Sequence, residues 1–202
     1  MQLMKQNMRV FLVFLLCVLP LTGTRAEEDA AKQEQQYRDA IDIFKGAGES
    51  GNFFNNSYGF AVFPTIGKAG FIIGGSYGKG RVYKNGVHVG NTSVGAGSIG
   101  FQAGAQAYSE IIFFQDKRAF EEFTSGNFEF GADASAVAIT AGASASASTA
   151  GGTSAGASGG QHDAITKGGY SKGMAVFTVA KGGLMFEASI GGQKFSYTSL
   201  AK

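Results

Sequence analysis

The chain has 202 residues, among them 32 glycines and 18 phenylalanines, with one cysteine and no tryptophan. Three of the 17 Lys/Arg lie in residues 1–26 and all 15 Asp/Glu lie beyond them, so removing that segment takes the formal charge from +2 to −1. The composition carries no basic nucleic-acid footprint and no disulfide framework, which leaves an ordinary packed core to hold the fold together.

In chain order, Lys5 and Arg9 precede the apolar run Val10 to Leu19, and Thr24 and Ala26 put small residues at −3 and −1. This pattern predicts a signal peptide over 1–26, cleaved after Ala26. The apolar run is about half the ~20 residues a membrane-spanning helix needs. Cys17 follows Leu16 rather than the small residue expected before a lipidated cysteine, so it is expected to leave with the signal. The remaining 176 residues, Glu27 to Lys202, suit a single domain, expected to be secreted or periplasmic, either free or peripheral on a membrane.

Tyr37, Ala40, Ile41 and Phe44 repeat at i, i+3, i+4 and i+7, predicting an amphipathic helix over Glu28 to Lys45. A polar loop is expected over Ser50 to Ser57. Three strands follow: Phe60 to Phe63 ended by Pro64, Ala69 to Gly75, and Gly80 to Lys84. Asn85-Gly86 between RVYK and VHVG predicts a type I′ hairpin turn, since both residues tolerate positive φ. Ile99, Phe101, Ala103, Ala105 and Ala107 alternate along one face, and Ile111 to Phe114 reads as a buried strand. Asp116 is a suitable N-cap for a short helix through Phe123. Phe128 to Ala136 alternates again, and Ala175 to Val179 and Leu184 to Ile190 flank a turn at Lys181-Gly182-Gly183. Between them, Ala134 to Gln161 is uncharged and rich in Ala, Ser and Gly, readable as strand through about Ala143 and then a loop, the loop spanning about 141–161. The expected fold class is α+β, mainly antiparallel β in a barrel or sandwich, with the N-terminal helix and a short inserted helix.

Catalytic signals are weak. Gly95 to Gly100 spells G-x-G-x-x-G, but strand-like alternation follows it where a dinucleotide site needs a helix. His88 and His162 are the only histidines; His162-Asp163 lacks a second ligand pair, and no nucleophile elbow occurs. No enzyme activity, cofactor or metal is expected. An outer-membrane barrel is disfavoured by the missing tryptophan and the non-aromatic C-terminus. The notable chemistry is cationic: Lys68, Lys79, Arg81 and Lys84 cluster among glycines, where they could hold an anionic lipid head group or simply solubilise strand ends.

The block FAVFPTIGKAGFIIGGSYGKGRVY (Phe60 to Tyr83) resembles the signature of the SYLF domain family. GAGSIGFQAGAQ, IIFFQDKRAFEEF, FEFGADASAVA and GGYSKGMAVFTVAKGGLMFEASIGG agree with it in order, so the resemblance covers nearly all of 27–202. It implies a compact β-rich lipid-binding module without enzyme activity. Some eukaryotic members bind phosphoinositides or actin. Two departures follow from the residues here. Glu27 to Lys45 carries six acids against Lys32, Arg38 and Lys45, unlike a basic membrane-binding helix. Export would also separate the protein from actin and cytosolic phosphoinositides. The implied function is an exported module that meets anionic lipid through Lys68, Lys79, Arg81 and Lys84; the alternative is a structural or protein-interaction module of the cell envelope.

Overall fold

A computed structural model describes residues 22–70, 73–99, 104–131, 134, 136–139, 169–181 and 190–200. Most of the predicted signal peptide, most of the Ala/Ser/Gly tract, His162 and the expected strand Leu184 to Ile190 lie outside them, save Ile190 itself. The chain divides into two compact units, Met1–Gln36 and Tyr37–Lys202. The first contributes the opening turns of helix α1 (Thr22–Gly46), where residues 25–36 are exposed apart from the half-buried Glu34. The helix begins six residues before the expected Glu28 and runs through the predicted cleavage point.

The second unit holds one 8-stranded sheet in the order β5-β8-β3-β2-β1-β4-β7-β6. The strands are β1 (Gly59–Gly70), β2 (Ile73–Lys84), β3 (Val87–Ile99), β4 (Gly104–Phe114), β5 (Phe128–Glu129), β6 (Val137–Ile139), β7 (Met174–Lys181) and β8 (Lys194–Ser199). All pairs are antiparallel except β6 with β7. Chain length forces the sheet to curl. Its two edge strands, β5 and β6, are joined by residues 130–136 alone. A flat sheet would hold them about 34 Å apart, whereas so short a link reaches at most about 28 Å. The result is a half-barrel, so α+β with a mainly antiparallel sheet is the architecture.

Each face of the sheet has its own core. The inner face packs Ala61, Phe63, Ile66, Val82, Val94, Ile112, Phe114, Val176 and Phe195 with Phe123 from α4 (Lys117–Phe123). The outer face packs Phe60, Val62, Ile111, Phe113 and Phe177 under Tyr37, Ala40 and Phe44 of α1. Asp116 caps α4 as expected, its Oδ1 accepting from the Ala119 N–H at 2.8 Å. The turn at Asn85-Gly86 likewise has positive φ at both residues, 50° and 77°.

Several expectations are corrected. Pro64 does not end a strand: β1 continues through it at a bulge, where two residues, Pro64 and Thr65, oppose Ser109 between the pairs Phe63–Glu110 and Ile66–Tyr108. The missing N–H costs nothing at the bulge, and the Ser109 hydroxyl donates to the Pro64 carbonyl at 2.7 Å. Ala69 to Gly75 is therefore not one strand, because it spans the end of β1 and the start of β2. The polar loop expected at Ser50 to Ser57 holds two helical turns, α2 (Gly48–Gly51) and α3 (Phe53–Asn56), since Phe53 and Phe54 pack onto Phe113. The strand expected over Phe128 to Ala136 ends after Glu129, and β8 was not expected at all.

The glycines of β2 serve the inner core. A Cβ at Gly80 would lie 2.6 Å from the Phe63 ring, and one at Gly78 would lie 2.7 Å from Ile66 Cγ1. These two positions let the large β1 side chains fill the barrel.

Candidate functional site

Arrangement, not a cleft, distinguishes the outer face. The packing of Tyr37, Ala40 and Phe44 reaches Val62 and Arg81, and further along β1 and β2 the described outward positions Thr65, Gly67, Ala69, Gly75, Tyr77 and Lys79 are exposed. One row crosses seven strands there in register: Lys181, Ala107, Gly67, Tyr77, Gly95, Lys194 and Glu129. Tyr77 stands at its centre, 57% exposed, between two glycines. No atom would come within 4 Å of a Cβ at Gly67 or Gly97, so these glycines are not needed to fit the core. They leave the surface low around one aromatic ring, with Lys181 at one end of the row and the Lys194–Glu129 pair at the other.

The adjoining row runs Thr65, Lys79, Ser93 and Ser196. Lys181 Nζ donates to Thr65 Oγ1 at 2.7 Å, and the hydroxyls of Ser93 and Ser196 are 2.7 Å apart. Lys194 pairs with the exposed Glu129 at 3.4 Å. On the next row out, Ala69, Gly75 and Gly97 continue the small-residue surface. The carboxylate among the described residues of these rows is Glu129, beyond Lys194 at the β5 end; the remaining cations, hydroxyls and a phenol can meet an anionic surface together.

The four predicted cations do not share this face. Lys79 lies on it and is exposed. Arg81, one outward position further along β2, carries its guanidinium 4.2 Å from the Tyr37 ring centroid and is half-buried. Lys68 follows Ile66 on the inner face, opposite Ser76 and Gln106. Lys84 is at the opposite end of β2, where its ammonium lies 4.9 Å from the Tyr58 ring and 5.9 Å from that of Phe120. Sequence reasoning missed Tyr77 and Lys194 and read Lys181 as the start of a turn, whereas it is the last residue of β7. The row became visible only once strand register joined residues more than a hundred positions apart.

The inner face holds a different feature. Glu110 is fully buried, and its Oε2 accepts from Gln193 Nε2 at 3.1 Å. The same amide donates to the Tyr108 hydroxyl at 3.1 Å. Burial pushes the Glu110 carboxyl up to about 8, against a smaller downward pull from Gln193, so it is protonated at neutral pH. Burial, then the nearby Glu110, also pushes the Tyr108 phenol up. His88, by contrast, has its Nε2 3.0 Å from the Gly90 carbonyl oxygen and packs beside Tyr83. The G-x-G-x-x-G motif runs through the end of β3 up to Ile99 instead of opening a helix. Among the described residues no group of three or more His, Cys, Asp and Glu could hold a metal, and no helix is long and apolar enough to cross a membrane.

A model of the Ysc84 family, described as Las17-binding protein actin regulator, matches residues 95–199, slightly over half of the chain. The matched segment runs from within β3 through β8 and includes Gly95, Lys181 and Lys194. No curated protein matches the chain.

Proposed function

Because the chain belongs to the Ysc84 (SYLF) family, we propose that it is a non-enzymatic lipid-binding module which sets the bare outer face of the half-barrel against anionic head groups. The observation that carries this reading is the row from Lys181 through Tyr77 to Lys194, together with Lys79 in the next row. A tyrosine on a low glycine surface suits the membrane interface, where its ring meets the acyl boundary and its hydroxyl stays wet. Lysines near an anionic surface contribute about 1 kcal/mol each. We further propose that the protein acts after export, with Glu27 as its first residue; the mass of the protein from a secreting host tests this.

Co-sedimentation of the protein with vesicles of phosphatidylcholine alone, or mixed with phosphatidylglycerol, tests the lipid reading. Binding is expected only with the anionic mixture and should weaken with added salt. Equal partition into both vesicle types, or into neither, would overturn it. The family description names protein binding, so a stable envelope-protein partner in the absence of lipid affinity would favour a protein-interaction module instead.

A further inference from the structure

The polar cluster inside the barrel has hydrogen-bonding capacity that the fold itself does not use. Glu110 Oε1, Gln193 Oε1 and Thr178 Oγ1 are buried, and among the described residues none of them has a partner. The three belong together. Thr178 is the register partner of Glu110 across β4 and β7, and Gln193 holds the other carboxyl oxygen of Glu110. Unpaired buried acceptors of this kind cost about 1–3 kcal/mol each. The carboxyl proton and the Thr178 hydroxyl hydrogen can serve the cluster while Glu110 is protonated; once that proton leaves, the three oxygens can all accept.

Among the described residues, the groups facing Glu110 are Phe63 opposite on β1, Thr178 on β7, Tyr108 on its own strand, and Gln193 ahead of β8. None is a cation. The first cation on this face among the described residues is Lys68, two rows further toward the end of the barrel. In that row Gln106 is exposed, while Lys68 and Ser76 are half-buried. Solvent thus reaches the inner face two rows from the carboxyl, and Tyr108 stands between, bonded to Gln193 and Ser76.

We propose that Glu110, Gln193 and Thr178 form a buried site for a primary ammonium group, which gives one N–H to each of their three unpaired oxygens. The stoichiometry favours this ligand over a divalent metal. An ammonium needs three acceptors and one negative charge, whereas calcium takes six to eight oxygens, several of them carboxylate. Binding is an exchange of one positive charge for another. The carboxyl gives up its proton to solvent and the ammonium takes its place, so the site stays neutral. Free amines and ethanolamine head groups share this chemistry.

Calorimetry and thermal denaturation of the full chain with methylammonium, against tetramethylammonium, test the site. Methylammonium is expected to raise Tm with the logarithm of its concentration and to release about one proton per molecule bound at neutral pH, read by repeating the titration in buffers of different ionisation heat. Tetramethylammonium, which has no N–H, should do neither. Glu110→Gln should abolish the response, and Thr178→Val, which keeps shape, should weaken it about tenfold, the worth of one hydrogen bond to a charged group. Vesicles bearing ethanolamine head groups, compared with choline ones, separate a lipid-borne ammonium from a free amine, and a response to either source supports the site. Equal effects of methylammonium and tetramethylammonium, a response retained in Glu110→Gln, or no response to any primary amine would overturn it.

Discussion

Arg81 and Tyr37 are stacked, the guanidinium carbon lying 4.2 Å from the ring centroid. The contact fastens the second half of α1 to β2 at the limit of the outer core, where Tyr37 is buried and Arg81 half-buried. It also gives two neighbouring cations of one strand different work: Lys79 projects into solvent and Arg81 covers a ring.

Arg81→Ala is therefore expected to lower stability by about 1–2 kcal/mol, through the lost cation–π contact and the lost packing of its stem. Lys79→Ala should stay within about 0.5 kcal/mol of the parent, as exposed substitutions do. Urea denaturation of both variants checks this. Equal stability of the two would show that the stack contributes nothing.

The glycines of β1 and β2 should separate in the same way. Gly80→Ala pushes a methyl into the Phe63 ring and is expected to cost about 1–3 kcal/mol by overpacking. Gly67→Ala meets open space and should be neutral or slightly stabilising, because it restricts the unfolded chain. Melting temperatures of the two variants decide the matter.

Glu110 makes stability depend on pH. Its carboxyl is raised from 4.5 to about 8 on folding, chiefly by burial, so the folded state holds a proton that the unfolded state has lost. Stability is full below the ordinary carboxylate range and falls by up to about 1.4 kcal/mol per pH unit until the folded carboxyl itself ionises near 8. Glu110→Gln should remove that slope. Denaturant midpoints of parent and variant across this window report it, and parallel curves would contradict it.

Local chemistry made much of this fold legible. The Asn85-Gly86 turn, the Asp116 cap and the apolar stripe of Tyr37, Ala40 and Phe44 depend on neighbours in sequence, and all three lie where the spacing put them. Pro64 misled because a proline normally stops a strand, and only the opposing Ser109 shows that a bulge accommodates it. β8 was missed although Phe195 and Tyr197 alternate with Lys194, Ser196 and Thr198. The interior cluster was hidden for another reason. Glu110 sits just before the run Ile111 to Phe114, where a carboxyl reads as a strand-end charge until the barrel encloses it. Register, not residue type, places Lys181, Tyr77 and Lys194 in one row.

The outer-face reading can be tested directly at Tyr77, because the chain contains no tryptophan. Tyr77→Trp puts a single fluorophore at the centre of the bare row, and Val87→Trp puts one at the exposed start of β3, away from it. With vesicles containing phosphatidylglycerol, emission from the residue at 77 is expected to shift to the blue and resist aqueous quenchers, while that at 87 stays unchanged. Vesicle-bound protein whose residue 77 remains as quenchable as in buffer would contradict the assignment of this face to the membrane.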